Sequence, residues 1–149
     1  MGNIRFGNLM DWGQVLETLE DMTKKGQLGE HQGELIRLLR FNQNWRLREA
    51  AIEALEFVDH PSLDLAKEVF SIVKRKDLYY DVRILAVDSL SKLIVRIVDR
   101  QDLDREEINS FYHNTISGLE ASLEEPEPPK FHDALKISLN QLRQVGKAA

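Results

Sequence analysis

Apolar residues return every three or four positions along nearly the whole chain after Leu9, the spacing of helices that each turn one face to a core. Trp12, Val15, Leu16, Leu19 and Met22 predict a first helix near 10–25, with Trp12 in its core stripe and Gly26 and Gly29 ending it. The run Glu30–Arg40 carries Leu35, Ile36, Leu38 and Leu39 and breaks at Asn42-Gln43-Asn44, where Asn44 is placed to cap a helix starting at Trp45. Asp59-His60-Pro61-Ser62 separates that helix from one near 62–76, because proline is tolerated in a first helical turn and disfavoured further in. Lys76-Asp77 then makes a turn into the most apolar segment, with Val82, Ala86, Val87, Leu90, Leu93, Ile94 and Ile97 on one face, the expected centre of the core.

After the polar linker Asp99–Asp102, Asp104 and Glu107 have capping-box spacing ahead of a helix of about twenty residues. It stops at Glu124-Glu125-Pro126-Glu127-Pro128-Pro129, which the prolines keep from being helical and whose adjacent carboxylates Glu124-Glu125 read as a solvated linker. A last helix from Lys130 to Val145 buries Phe131, Leu135, Leu139 and Leu142, and the end beyond Gly146 is expected to fray.

One pattern is printed twice. Trp45–Leu55 (WRLREAAIEAL) and Tyr80–Leu90 (YDVRILAVDSL) align at a spacing of 35 residues: Leu47 falls on Val82, Arg48 on Arg83, Ala51 on Ala86, Ile52 on Val87 and Leu55 on Leu90. Periods of 20 to 50 residues mark stacked supersecondary units that need neighbours to bury their apolar faces. A looser third copy keeps Asp133, Ser138, Leu139 and Leu142 in the register of Asp81, Ala86, Val87 and Leu90. The pattern predicts three helical hairpins, about 30–58, 62–98 and 104–145, with the helix near 10–25 covering the flank of the first. The alternative is an unrelated bundle of amphipathic helices.

The duplicated box resembles the HEAT family of α-solenoid repeats, well over 30–98 and weakly over 104–145. Asn42 precedes Arg48, and Asp77 precedes Arg83, by the six residues that separate the family's turn Asp or Asn from its helix-B Arg. The resemblance implies an all-α fold, a short right-handed α-α superhelix of about seven helices forming a single domain over 1–149. It also implies that Asn42, Arg48, Asp77 and Arg83 form a hydrogen-bonded ladder between repeats, since an Arg fork beside such acceptors fixes how one hairpin sits on the next. The alternative is two surface ion pairs worth under about 1 kcal/mol each. In the third unit the matching positions are Pro129 and Leu135, as suits the last member of an array.

Composition narrows the function. With 25 acidic against 20 basic residues the net charge is −5, which works against a nucleic-acid phosphate backbone as partner. The absence of cysteine removes disulfides, thiolate metal sites and cysteine nucleophiles. No apolar window reaches the 18 or so residues of a membrane span, and MGNIRFGNLMDW lacks a leader's apolar stretch, so a cytoplasmic protein with no membrane partner is expected. His31, His60, His113 and His132 lie in different helices or turns without metal-ligand spacing. Gly26, Gly29 and Gly33 lack the pattern of a phosphate-binding loop. No catalytic residue, metal or cofactor is therefore assigned.

Binding to another protein is the expected role. In solenoids the second helices of successive hairpins line one face. Here their non-core positions are Glu49, Glu53 and Glu56, then Ile84, Asp88 and Ser91, then Lys136, Asn140 and Arg143, a strip running from acidic to basic. Such a strip would favour an extended peptide or helix of complementary charge; the plainer reading is a solvated face. Trp45 and Tyr80 share the first position of their helices and, with Tyr79, suit either an aromatic rim or helix-start packing. The resemblance also admits an enzyme acting inside the curve, as in alkylpurine DNA glycosylases or bilin lyases, where Trp45 and Arg48 would be suggestive and the three glutamates would repel a duplex. The state expected is a monomer, or a homodimer through the open end of the last helix.

Overall fold

The structure, a computed structural model, describes residues 6–148, with side chains through Gly146. Among these residues it is all-helical. The helices are α1 (Trp12–Lys24), α2 (Gln32–Arg40), α3 (Trp45–Ala54), α4 (Leu63–Lys74), α5 (Tyr80–Val98), α6 (Arg105–Leu123) and α7 (Pro129–Ala148). Short 3₁₀ turns at Leu28–His31 and Leu55–Phe57 precede α2 and follow α3.

Local chemistry sets most boundaries. At the end of α1, Gly26 adopts φ +66°, and the N–H of Gln27 reaches back to the carbonyl of Met22 at 3.0 Å, a left-handed stop that glycine makes without a β-carbon clash. Asn44, Ser62 and Asp104 cap α3, α4 and α6 by accepting from the backbone N–H groups of Arg46, Leu65 and Glu106 at 2.9, 3.1 and 2.9 Å. The expected capping box is only half made, since Glu107 returns no bond to Asp104. Pro129 opens α7, where its missing N–H costs nothing. α7 runs to Ala148, past the expected end at Val145, and Ala149 lies outside the described residues.

Consecutive helices pack in pairs, α2 with α3, α4 with α5, and α6 with α7. Across pairs, α4 lies between α2 and α6, and α5 lies between α3 and α7. The result is one row of α2, α4 and α6 backed by a second of α3, α5 and α7, which α1 extends by packing on α3. As expected, α5 is central: Val82, Ala86, Val87, Leu90, Leu93, Ile94 and Ile97 are all buried. Gly118 lets α6 come close to α4, for a β-carbon there would drive into the Phe70 ring.

The outer helices carry mostly polar side chains at their exposed positions, Gln14, Glu17 and Asp21 on α1, His113, Asn114 and Ser117 on α6, and Lys136 and Asn140 on α7, with Ile137, 61% exposed, among the last. The core also reaches ahead of α1, where Phe6 and Leu9 are buried. Trp12 departs from its expected place in the core and is 49% exposed. It is the first residue of α1 and lies on the Leu16 side of the stripe Val15, Leu19 and Met22, so it borders the core instead of entering it.

Candidate interaction face

The row α1–α3–α5–α7 carries three adjoining grooves. Between α1 and α3 lies one of about 460 Å³, with Leu16, Leu19, Ala50, Ala54 and Phe57 along it and Glu20, Glu53 and Glu56 at its edges. Between α3 and α5 lies one of about 280 Å³, lined by Glu53, Glu56, Leu85, Asp88, Ser89, Lys92 and Arg96. Between α5 and α7 lies one of about 490 Å³, lined by Ser91, Lys92, Val95, Gln141, Gln144 and Val145. Glu53 and Glu56 wall both the first and the second, and Lys92 walls both the second and the third, so the face is continuous across four helices.

Its cations are already engaged. Lys24 pairs with Glu20 at 3.0 Å and Lys92 with Asp88 at 3.1 Å, each one helical turn along its own helix. The Arg96 guanidinium binds the carbonyls of Leu55, Glu56 and Val58, where the chain leaves α3 through a 3₁₀ turn and the regular helical bonds end; Leu55 also accepts from the N–H of Val58 at 3.1 Å. Burial there lowers the Arg96 pKa, with Asp59 and Glu56 opposing the shift. Glu53 makes no hydrogen bond or ion pair among the described residues.

The strip read from the sequence is therefore partly assembled. Glu53, Glu56 and Asp88 share one groove, with Glu49 and Ile84 half-buried behind them. Ser91 lines the third groove but is only 1% exposed, its hydroxyl bonded to that of Ser138 and to the carbonyl of Val87, so it chiefly joins α5 to α7. On α7 the residues facing α5 across the groove are Gln141, Gln144 and Val145, whereas Arg143 pairs with Glu120 of α6 at 2.9 Å. The basic end of the expected strip thus turns toward α6 at Arg143, and the face grades from acidic to amide and apolar.

The four expected ladder residues meet at the turns joining each helix pair. Arg48 donates from Nε to the carbonyl of Leu39 at 3.0 Å and from Nη2 to Asn42 Oδ1 at 2.6 Å. Arg83 donates from Nε to the carbonyl of Val73 at 3.0 Å. Asp77 does not face Arg83; it takes two bonds from Arg75, at 3.0 and 2.5 Å, and Arg75 reaches Asn42 Oδ1 at 3.5 Å. Arg75 holds the Asp77 carboxyl below its usual range, and Asp77 in turn raises the Arg75 pKa. The Arg48 pKa is lowered, chiefly by burial and then by neighbouring Arg75.

Arg83 turns instead to Glu127, at 3.8 Å, with both side chains almost fully buried. Its guanidinium lies 4.4 Å from the centre of the Phe131 ring and 5.2 Å from that of Tyr80, and the two rings are 5.7 Å apart. The Tyr80 hydroxyl donates to the same Glu127 carboxylate, which raises the tyrosine pKa. Within the acidic, proline-rich run Glu124 is exposed and Glu125 pairs with the exposed Lys76, raising the lysine pKa, whereas Glu127 is an internal counter-ion. Tyr80, 39% exposed, packs its ring on Phe131 at the helix start, while Trp45 and Tyr79 are 52% and 74% exposed. Arg48 is 4% exposed, with Nε turned to Leu39 and Nη2 to Asn42.

A second set of ties crosses the other ends of the helices. Gln32 donates to the carbonyl of His60 at 2.9 Å and accepts from the N–H of Ser62 at 2.7 Å, and Arg100 donates to the carbonyl of Pro61 at 2.7 Å. The sequence reading did not anticipate these.

Among the described residues no cluster of three or more His, Asp and Glu side chains is placed to hold a metal ion, and no helix is long and apolar enough to cross a membrane. No family model, curated protein or solved structure matches the chain.

Proposed function

We propose that the chain is a short HEAT-like α-solenoid, a right-handed stack of three helical pairs with an added first helix, and that it works as a non-enzymatic module holding a peptide or helix of another protein. Support for the repeat reading is the 35-residue register, whose two arginines each close the same bond onto the end of the preceding helix. The two rows of helices agree with it.

The observation carrying the functional reading is the continuity of the three grooves across α1, α3, α5 and α7 through shared walls. A long grooved side of this kind suits an extended partner. The acids along the first two grooves set that surface against a phosphate backbone.

Capture from a native extract, comparing the wild-type chain with Glu53→Lys/Asp88→Lys and with Val95→Arg, tests the reading. A partner held by the wild type and lost from either variant, with the urea midpoint unchanged, is the expected outcome. Equal retention by all three would place binding off this face.

A further inference from the structure

The α1/α3 groove differs from its neighbours in combining an apolar floor with acids, Glu53 and Glu56, that form no ion pair among the described residues. Phe57, 51% exposed, stands at the end of α3 beside Ala50, Ala54 and Leu16, and water meets a ring that the core leaves uncovered. Glu53 and Glu56 rise between this groove and the next. Glu53 is unpaired among the described residues, and the cation nearest in kind to serving Glu56, Arg96, has its donors turned to three backbone carbonyls. Lys24 and Lys92 are matched by Glu20 and Asp88. The ridge between the grooves therefore keeps an excess of negative charge beside exposed apolar surface.

That juxtaposition defines a complementary ligand. A helix laid along the groove would place apolar side chains at three- and four-residue spacing over Phe57, Ala54 and Leu16, and its flanking lysines or arginines would fall on Glu53 and Glu56. An acidic helix would be repelled on the ridge, and a purely polar basic segment would leave Phe57 in water.

We infer that the groove between α1 and α3 is the docking site for a basic amphipathic helix of a partner protein, anchored by apolar contact with Phe57 and oriented by Glu53 and Glu56. The inference rests on the proposed role of this face and commits it to one groove and one partner chemistry.

The probes are two labelled synthetic peptides of identical amphipathic pattern, one of leucine and lysine and one of leucine and glutamate. They are titrated into the ¹⁵N-labelled full chain at about 150 mM salt, where long-range attraction is largely screened. The lysine peptide should bind and shift the amides of Leu16, Ala50, Glu53 and Phe57. Its affinity should fall about tenfold or more in Glu53→Lys/Glu56→Lys, less in Glu53→Gln/Glu56→Gln, and again in Phe57→Ser. Far-UV circular dichroism and the urea midpoint of each variant separate lost binding from lost fold.

Equal binding of the glutamate peptide in this groove would overturn the basic specificity while leaving the face as a binding surface. Shifts confined to the α5/α7 groove would overturn the site and again spare the broader reading. No binding by either peptide overturns the inference. So would a concentration-dependent dimer abolished by Phe57→Ser, which would put a second copy of the chain in the groove.

Discussion

Arg48 and Arg83 occupy the same position of two helical pairs and end in different company. Both are closed off from solvent, 4% and 2% exposed, and both tie the second helix of a pair to the first through an Nε bond of 3.0 Å onto a backbone carbonyl. Beyond that anchor they diverge. Arg48 turns to the neutral amide of Asn42 in its own turn, with the charge of Asp77 held one arginine away on Arg75. Arg83 takes a buried carboxylate, Glu127, from the turn joining α6 to α7 within the next pair, and lies against two aromatic rings that touch each other. The repeated residue sets how two helices of one pair meet, and the neighbouring pair decides what neutralises it.

Removing the arginines is the strongest way to break that comparison. Arg83→Ala strands Glu127 as a buried anion with only the Tyr80 hydroxyl and should destabilise by about 3–4 kcal/mol, as when one member of a buried ion pair is lost. Arg48→Ala leaves a carbonyl and an amide short of a donor, an expected loss of about 1–2 kcal/mol. Urea unfolding reads both, and Lys76→Ala should shift the midpoint far less than either. Equal midpoints for the two arginine variants would make the counter-ion irrelevant. A double-mutant cycle sharpens the point: coupling between Arg83 and Glu127 should be about 2 kcal/mol and that between Arg48 and Asn42 about 1 kcal/mol.

The anchoring half of this arrangement was legible in the sequence, because a 35-residue register puts both arginines at one helical position. The counter-ion of Arg83 was not. Glu127 lies in an acidic run broken by prolines, and nothing local distinguishes it from a solvated linker; only the packing of α7 on α5 carries that run past Tyr80 and Arg83. Asp77, at the six-residue spacing, was drawn off by Arg75, two residues away and free to fork onto it. The candidate face shows the same division. Glu53, Glu56 and Asp88 were readable from the register of α3 on α5, but the register put Ser91 with Glu56. α3 gives way to a 3₁₀ turn at Leu55, whereas α5 continues as regular helix with α7 against it, so one position is open and the other closed. The small residues Ser91 and Ser138, each set within an apolar stripe, were the available signal of that close contact.

Tyr80→Phe separates the aromatic half of the Arg83 site from its charge. The ring stays on Phe131 and over the guanidinium, while Glu127 loses a donor, so destabilisation should be clearly smaller than for Arg83→Ala. The pH dependence carries a specific sign. The folded-state pKa of Tyr80 is raised, chiefly by its bond to Glu127, so the contribution is complete below the ordinary tyrosine value of about 10 and is lost as pH rises through the folded value. Lys76, also raised by a glutamate, falls away in the same alkaline direction and serves as the control. Stability of the wild type and Tyr80→Phe should converge as the tyrosine titrates; a constant gap across that range would show that the hydroxyl bond does not govern this site.

The smallest effect belongs to the other side of the comparison. Asp77 is held below its ordinary pKa by the Arg75 bonds, so its contribution is present above the unfolded value of about 4 and is lost as pH falls through the folded one. Once it is protonated, Arg75 and Arg48 share Asn42 Oδ1 without the Asp77 charge beside them, Glu68 still acting on Arg75, and their like charges repel. Asp77→Asn should therefore flatten part of the acid limb of a stability-versus-pH curve and lower neutral stability by the same small amount, because the carboxylate is solvent-exposed and screened. Asp102, depressed in the same way by Arg100 at the opposite ends of the helices, should retain its own share of that limb in the variant. If Asp77→Asn and Asp102→Asn alter the acid limb identically in an Arg48→Ala background as in the wild type, Asp77 is only a surface partner of Arg75. A reduced effect confined to Asp77 would tie it to the first arginine, as the geometry of Asn42 requires.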